Sequence, residues 1–204
     1  MTTSTQQKTA TVILAAGGSR RLGKPKQALP YRNSTLLLHC IKQALSLKLP
    51  THVVLGGHSD QFSQQLAPLP VTLCINEQWS QGISTSIQCG LHNIDHSIHA
   101  VLFMLCDQPF IPTAHYQGLI QSAEDKPQSI IATQYQQGHT GVPAIIPKSL
   151  FPELLALQGD KGAQKIISRH QSKVIPKHCL QASWDIDTPE QAQWLHSGPP
   201  LKDL

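Results

Sequence analysis

The segment from Val12 to Lys26 constrains the chain most, because an apolar run there ends abruptly in glycines, a hydroxyl and cations, VILAAGGSRRLGKPK. This order is typical of a buried strand that ends in an anion-binding loop. Glycines at positions 17, 18 and 23 let backbone N–H groups approach an anion closely, and the four cations of the loop supply positive charge. We therefore expect the loop to bind a nucleoside triphosphate.

Two common nucleotide-binding motifs do not fit this loop. A Walker loop ends in Gly-Lys-Ser/Thr, but Lys24 is followed by Pro25, which has no hydroxyl for magnesium. A dinucleotide fingerprint opens a helix at once, whereas Pro25 and Pro30 predict a basic loop that stays extended past Lys26.

Composition predicts one α/β domain. With 204 residues and 40% hydrophobic content, the chain can bury the core of one domain but is short for two. We expect this domain to span residues 1–196, with loose tails at 1–9 and 197–204. The net charge of +4 is modest and its cations are clustered, so nucleic acid is not an expected partner. The chain has no apolar run of about 18 residues and no leader-like signal, so we expect no membrane span and a cytoplasmic protein.

Apolar runs alternate with helical patterns along the chain, which predicts a largely parallel sheet with helices on both faces. The predicted strands lie at 10–16, 51–56, 71–75, 100–106, 129–133 and 142–147, with short ones near 173–175 and 183–186. The predicted helices lie at 35–47, 84–91, 113–123, 148–157, 160–169 and 188–196.

Cysteine and histidine usage gives little support for a metal or disulfide scaffold. The five cysteines are widely separated and form no Cys-x-x-Cys pair. His92, His96 and His99 form the one dense histidine group. A metal site there is one interpretation, and surface or capping histidines are the favoured one.

Acidic residues follow two predicted strands. Asp107 comes directly after the apolar run 100–106, at the carboxyl end of a central strand, where open α/β sheets bind ligands. It is our first candidate ligand for Mg²⁺, and the alternative is a turn or helix cap before Pro109. Alternation in the segment 184–188 suggests a short strand with Asp185 and Asp187 on the same side. Asp187 could equally cap the helix that begins with the Thr-Pro-Glu sequence after it.

A further candidate segment, residues 76–86, leads from a strand through a loop into a helix. One interpretation is an ordinary helix cap, which requires only Ser84. The other is contact with the base or ribose of a nucleotide from Gly82, Thr85 or Ser86.

The pattern Leu-Ala-Ala-Gly-x-Ser-x-Arg-x-Gly-x-x-Lys resembles the signature of the MobA-like nucleotidyltransferases. Its eight specified positions are Leu14, Ala15, Ala16, Gly17, Ser19, Arg21, Gly23 and Lys26. The resemblance extends over roughly residues 11–195. It implies a Rossmann-like three-layer α/β/α fold with a mostly parallel central sheet. The Ala-Ala-Gly form of the loop is similar to the cytidine-specific subgroup.

This resemblance implies transfer of CMP from CTP to the phosphate of a molybdopterin-type cofactor, with release of pyrophosphate. It implies catalytic roles for Lys26, Arg21 and Asp107, and Mg²⁺, or alternatively Mn²⁺, held by Asp107 and Asp187. The implied nucleotide-binding residues are Leu14, Ala15, Ala16, Gly17, Gly18, Ser19, Arg21, Lys26, Gly82, Thr85, Ser86 and Asp107. A molybdenum hydroxylase or its chaperone is the implied protein partner.

The resemblance is weaker on the acceptor side. Segments 138–143 and 159–163 resemble those that shape the acceptor site, although Gly141 and Gly162 could be plain turn or cap glycines. Val142 and Gln164 stand where the family usually has histidine and arginine. Three alternatives therefore remain: a nucleotidyltransferase for a sugar or alcohol phosphate or with GTP, a non-catalytic accessory protein that binds the cofactor, and a metal sensor based on histidine and cysteine.

Overall fold

The computed structural model describes residues 8–19 and 21–199. Its strands are β1 Thr9–Ala15, β2 Pro30–Tyr31, β3 Ser34–Thr35, β4 Thr51–Leu55, β5 Thr72–Ile75, β6 Ala100–Leu105, β7 Ile130–Gln134, β8 Thr140–Pro147 and β9 Val174–His178. Its α-helices are α1 Leu36–Ser46, α2 Ser59–Leu66, α3 Ile83–His92, α4 Thr113–Asp125, α5 Phe151–Leu155, α6 Ala163–Arg169, α7 Pro189–Ala192 and α8 Trp194–Ser197.

A seven-stranded sheet with the order β5-β4-β1-β6-β8-β7-β9 forms the centre of the molecule, and β2 and β3 form a separate hairpin. Only β8 runs antiparallel to its neighbours in this sheet. The predicted mostly parallel sheet is confirmed. From β1 the chain passes to β4 and β5 on one side and then returns to β6 on the other, where Leu14 pairs with Leu105. Such a reversal opens a crevice at the carboxyl ends of the two strands.

The core has one layer on each face of the sheet, because side chains alternate along each strand. In β1, Ile13 packs with α1, α2 and α4, whereas Val12 packs with α3, α5 and α6. The expected three-layer arrangement is thus confirmed. Packing of these side chains stabilises the fold by roughly 25 cal/mol for each Å² of apolar surface removed from water.

A third, smaller apolar cluster lies beside the loop that follows β1. Leu22 of this loop packs with the hairpin and with Ile186, and α8 contributes Trp194 and Leu195. The cluster therefore ties the loop to the C-terminal part of the described chain. No helix in the described ranges is long and apolar enough to cross a membrane.

The strand predicted near 183–186 was wrong. Leu180–Ser183 instead forms a 3-10 turn, in which Ala182 is fully buried. The alternation that suggested a strand arises because Trp184 and Ile186 are each buried in the core. A backbone hydrogen bond from the Ile186 N–H to the Asp107 carbonyl joins this segment to the crevice.

Several helices begin or end at residues other than those predicted. The region predicted as one helix at 148–157 begins with a 3-10 turn, because Pro152 favours a helix start just before it. Gly159, with a φ of 60°, keeps the start of the predicted helix 160–169 in a loop until Ala163. The helix predicted at 188–196 is two short helices, α7 and α8. A further 3-10 turn at Lys26–Ala28 interrupts the loop that was expected to stay extended.

The expected tails were partly wrong as well. Thr9 belongs to β1 and Ser197 belongs to α8. Within the expected tails, residues 1–7 and 200–204 lie outside the described residues.

Candidate active site

A cavity of about 400 Å³ lies in the crevice at the carboxyl ends of β1 and β6. Its lining includes nine of the residues predicted to bind nucleotide: Leu14, Ala15, Ala16, Gly17, Gly18, Lys26, Gly82, Ser86 and Asp107. It also includes seven residues that were not predicted: Gln27, Trp79, Ser80, Ile83, Leu105, Cys106 and Asp160. Of these, Trp79, Ser80 and Ile83 lie in the candidate segment 76–86, and Asp160 lies in a segment expected on the acceptor side. Gln27, Leu105 and Cys106 had no comparable signal in the sequence.

The loop after β1 is held in shape by its own polar groups. The Leu22 N–H donates to the Ser19 carbonyl over 3.0 Å, and the Lys26 N–H donates to Ser19 Oγ over 2.8 Å. Ser19 has a φ of 50° and does not line the cavity. Arg21 is exposed and also lies outside the lining. Neighbouring Arg20 is outside the described residues.

Lys26 joins the two predicted metal ligands. Its Nζ lies 2.7 Å from Asp107 Oδ2 and 2.6 Å from Asp187 Oδ1. Burial of Lys26 favours the neutral amine, but the charge of Asp107 and the hydrogen bonds to both carboxylates outweigh this and raise the pKa of Lys26 well above its usual value. The site therefore holds a permanent ammonium between two carboxylates.

Neither aspartate acts as the helix cap that the alternative interpretations required. Thr188 caps α7, with its side chain accepting from the Gln191 N–H and the Gln191 side chain bonding back in a capping box. Pro112 occupies the N-cap position of α4. The side chains of Asp107 and Asp187 instead face Lys26.

The two carboxylates also fit a hard divalent cation. Asp107 Oδ1 is buried and has no hydrogen-bond partner within the described part of the chain. Mg²⁺ and Mn²⁺ prefer such oxygen ligands, and Mg²⁺ usually takes one or two carboxylates together with substrate phosphates and water. No group of three or more His, Cys, Asp or Glu side chains suited to a metal occurs among the described residues. The histidines at 92, 96 and 99, for which a metal site was one interpretation, therefore form no such cluster.

A second hollow of about 370 Å³ is lined by Tyr135, Gln137, His139, Gln164, Ala182, Ser183 and Asp185. Burial and the nearby charge of Asp107 raise the pKa of Asp185 to about 7. The His139 and Tyr135 rings stack with centroids 4.6 Å apart. The Tyr135 hydroxyl donates to the Val142 carbonyl. Asp185 and Asp187 thus have different surroundings, although the sequence suggested that they share one side of a strand.

The segment before α3 is organised by Asn76. Asn76 Nδ2 donates to Thr85 Oγ1 over 2.9 Å and to Ser86 Oγ over 3.0 Å. Ser86 lines the main cavity, whereas Thr85 lines a separate surface hollow. The interpretation of Ser84 as helix cap was wrong, because Gly82 occupies the N-cap position and Ser84 lies inside the helix.

Trp79 closes one wall of the cavity by packing on glycines from two loops. A Cβ atom added to Gly18 would lie 2.8 Å from the indole, and one added to Gly57 would lie 2.6 Å from it. A Cβ on Gly56 would lie 2.7 Å from the Trp79 Cβ and 2.5 Å from the Ala16 carbonyl oxygen. These distances are too short for a real side chain, so the indole requires glycine in the loops after both β1 and β4.

Curated proteins from several bacteria are similar to this chain, and three of them illustrate the range. A protein of Bacillus subtilis (strain 168) named purine catabolism protein PucB is 27% identical over 193 residues, which cover 88% of this chain and 92% of the relative. Nicotine blue oxidoreductase of Paenarthrobacter nicotinovorans is 29% identical over 197 residues, with coverage of 88% and 92%. A probable molybdenum cofactor guanylyltransferase of Bacillus cereus (strain Q1) is 26% identical over 124 residues, with coverage of 61% of each chain.

The fold is also similar to solved structures. The crystal structure of Rv0371c from Mycobacterium tuberculosis H37Rv superposes with a TM-score of 0.83 at 28% identity, covering 95% of this chain and all of that one. A second structure of that protein, described as a complex with manganese, has a TM-score of 0.80 at 25% identity, with coverage of 95% and 100%. The MobA-like NTP transferase domain matches residues 11–174. This chain therefore belongs to the MobA-like NTP transferase family.

Proposed function

We propose that this protein transfers CMP from CTP to the phosphate of a molybdopterin-type cofactor and releases pyrophosphate. The observation that carries the proposal is the Lys26 ammonium held by Asp107 and Asp187 at a glycine-lined cavity. A cation and two carboxylates beside a glycine-rich loop suit a triphosphate with its divalent metal ion.

The donor would bind with its triphosphate against the loop after β1. Gly17 and Gly18 line the cavity, and space for a Cβ is open at Gly17. Backbone groups there can approach phosphate oxygens closely. The base and ribose would lie toward Gly82 and Ser86, which line the other part of the same cavity.

In the reaction, an oxygen of the acceptor phosphate attacks the α-phosphorus of CTP, and the bond from that phosphorus to the pyrophosphate oxygen breaks. The acceptor phosphate is already anionic near neutral pH, so the protein need not supply a general base. Lys26 would neutralise charge on the α-phosphate and the leaving pyrophosphate, and the exposed Arg21 side chain would have to turn toward the cavity to contribute. A divalent ion held by Asp107 and Asp187 would supply further neutralisation across the triphosphate.

The acceptor would occupy the second hollow, beside Asp185. Two contacts support this location: the Ile186 N–H donates to the Asp107 carbonyl, and Gln108 Nε2 donates to the carbonyl of Ala182, which lines the hollow. Gln164 lines this hollow where the family usually has arginine. An amide forms weaker bonds to a phosphate than a guanidinium does, so this hollow would bind the acceptor phosphate less tightly than one that carries arginine at this position.

The relative named nicotine blue oxidoreductase raises a second candidate, an oxidoreductase activity. Its 29% identity over 88% of this chain favours that candidate. The carboxylate pair around Lys26 favours nucleotidyl transfer instead, because that reaction uses a divalent ion and hydride transfer needs none. Oxidation of NADH or NADPH by the purified protein would support the oxidoreductase instead.

A direct test replaces the charged groups. Lys26→Ala and Asp107→Ala should each lower turnover by at least about 100-fold, a magnitude typical of the loss of preorganised electrostatic groups. Lys42→Ala, on the exposed face of α1, is the matched control and should keep full activity. Near-normal turnover in both site variants would exclude the assignment. Tight binding of the cofactor without any pyrophosphate release from the wild type would indicate the accessory role.

A further inference from the structure

Gln27 is the first residue after Lys26, and its side chain points back toward the loop that follows β1. Only 2% of Gln27 is exposed. Its Nε2 donates to the Ala15 carbonyl over 2.7 Å and to the Gly17 carbonyl over 3.0 Å. Both amide hydrogens are therefore used, and the orientation of the side-chain amide is fixed by two backbone acceptors.

These two bonds also orient the backbone N–H groups that follow. In a planar trans peptide, the C=O and the next N–H point in opposite directions. When the Ala15 and Gly17 carbonyls point toward Gln27, the N–H groups of Ala16 and Gly18 point away from it. Ala16 and Gly18 both line the main cavity. Gln27 thus sets the direction of two donors at the position where anion binding is expected.

The side chain is not optimised for packing alone. Gln27 Oε1 is buried and has no hydrogen-bond partner among the described residues. A buried unpartnered oxygen destabilises a fold, whereas an apolar side chain of similar size would avoid this cost. The two bonds to the loop give a physical reason for an amide at this position.

We propose that Gln27 is a positioning residue that holds the Ala16 and Gly18 amides ready for the triphosphate of the substrate. This inference rests on the proposed nucleotidyltransferase function. Gln27 lines the cavity itself, but its Nε2 is bound to two backbone carbonyls and its Oε1 is buried, so it acts on the substrate through the backbone. Its loss should weaken nucleotide binding more than it slows the chemical step.

The test compares Gln27→Leu with Gln88→Leu. Gln88 is a matched control because its Nε2 also donates to two carbonyls, those of Leu155 at 2.9 Å and Leu157 at 2.8 Å, away from the main cavity. We expect Gln27→Leu to raise the dissociation constant of CTP with Mg²⁺ by about ten-fold or more, as expected for the loss of preorganisation by two hydrogen bonds. Gln88→Leu should leave this constant unchanged. In steady-state assays the effect should appear in KM for CTP, with kcat changed by less than about three-fold.

Hydrogen exchange gives a readout that does not depend on nucleotide. Amides of residues 16–19 should exchange faster in Gln27→Leu than in the wild type, and Gln88→Leu should leave them unchanged. If Gln27→Leu fails to fold, Gln27→Met provides the same loss of hydrogen bonds with a more adaptable side chain. Unchanged exchange together with unchanged CTP affinity in a folded variant would overturn the inference. If the wild type binds no nucleoside triphosphate, the proposed function fails, while faster exchange in Gln27→Leu would still show that Gln27 orders the loop.

Discussion

Lys26 Nζ lies 2.7 Å from Asp107 Oδ2, within ion-pair distance of a carboxylate that also suits a divalent cation. Asp187 Oδ1 contacts the same nitrogen at 2.6 Å. Asp107 and Asp187 would hold a divalent ion in competition with the Lys26 ammonium, because the same two carboxylates bind both cations. A triphosphate would offer the ammonium a new anionic partner.

We predict that Lys26→Met increases metal affinity in the absence of nucleotide. Two carboxylates left without their cation attract a divalent ion more strongly, because no ammonium has to be displaced. Titration with Mn²⁺, followed by electron paramagnetic resonance, should give a dissociation constant at least several-fold lower than in the wild type. Turnover should fall in the same variant, since the cation that neutralises the phosphates is missing.

Lys42→Met is the control for this experiment, because Lys42 is an exposed residue on α1. It should bind Mn²⁺ like the wild type. Weaker Mn²⁺ binding by Lys26→Met would contradict the competition between ammonium and metal ion.

The close packing of Trp79 on glycines predicts that a side chain at Gly57 weakens CTP binding. Gly57→Ala would place a Cβ 2.6 Å from the indole, which must move away from the cavity wall. We expect weaker CTP binding, by about ten-fold for a misplacement that costs about 1.4 kcal/mol, and a changed tryptophan emission.

Gly118→Ala is a suitable control, because no atom lies within 4 Å of the added Cβ and the residue lies inside α4. It should keep CTP affinity and add roughly 0.5–1 kcal/mol of stability. Equal CTP binding by both variants would mean that the indole position is unimportant for the nucleotide.

The contribution of His115 to stability should fall as the pH is lowered below 6.5, whereas the raised pKa of Asp185 has the opposite effect. Burial, with a smaller contribution from His178, lowers the pKa of His115 to about 4 from its ordinary 6.5. Between these values the unfolded chain binds a proton that the folded chain does not, so the free energy of unfolding decreases as the pH falls. One such proton gives a slope of at most about 1.4 kcal/mol per pH unit, and the partial exposure of His115 reduces it.

Urea unfolding of the wild type and of His115→Gln at pH 7 and pH 5 isolates this contribution, and His115→Gln should raise the stability at pH 5 relative to that at pH 7. His115 Nε2 lies 2.8 Å from Thr133 Oγ1, and a glutamine amide can replace that contact without titrating. An unchanged difference in His115→Gln would assign the pH dependence to other groups. His39 and His52 are the alternatives, because burial also lowers their pKa values.

Thiol labelling should distinguish Cys89 from the other four cysteines. Cys40, Cys74, Cys106 and Cys179 are buried, whereas Cys89 is partly exposed. Burial raises the pKa of the Cys89 thiol, so labelling should be slow near pH 7 and faster at higher pH. We expect one equivalent of dithionitrobenzoate to react with the native protein, and none with Cys89→Ser. Rapid reaction of a second thiol would contradict the buried state of the rest.

Local sequence patterns predicted the sheet well because the apolar runs are long. The run 100–106 is apolar throughout, and β6 is a central strand buried on both faces. Asp107 could be predicted at the crevice because a polar residue at the end of such a strand marks the sheet edge. The strand prediction for 183–186 was wrong because two isolated buried side chains, Trp184 and Ile186, produce the alternation of a strand in a segment that pairs with no strand of the described chain.

The rest of the site depends on contacts between distant segments. Lys26 meets a carboxylate 161 residues further along the chain, and no local pattern indicates that distance in space. Gln27 and Trp79 have ordinary side chains whose roles come from two carbonyls and three glycines in other segments. Thr85, predicted at the nucleotide, is turned toward Asn76 and lines a different hollow.

Pyrophosphate release is the measurement that tests the central claim most directly. The wild-type protein would be incubated with Mg²⁺, molybdopterin-type cofactor and each of CTP, GTP, ATP and UTP in parallel. We predict release that requires the cofactor and is fastest with CTP, and its loss in Asp107→Ala. Release that favours GTP would assign the guanylyl reaction instead. No release with any of the four triphosphates, from folded protein that binds nucleotide, would contradict the proposed transfer to this acceptor.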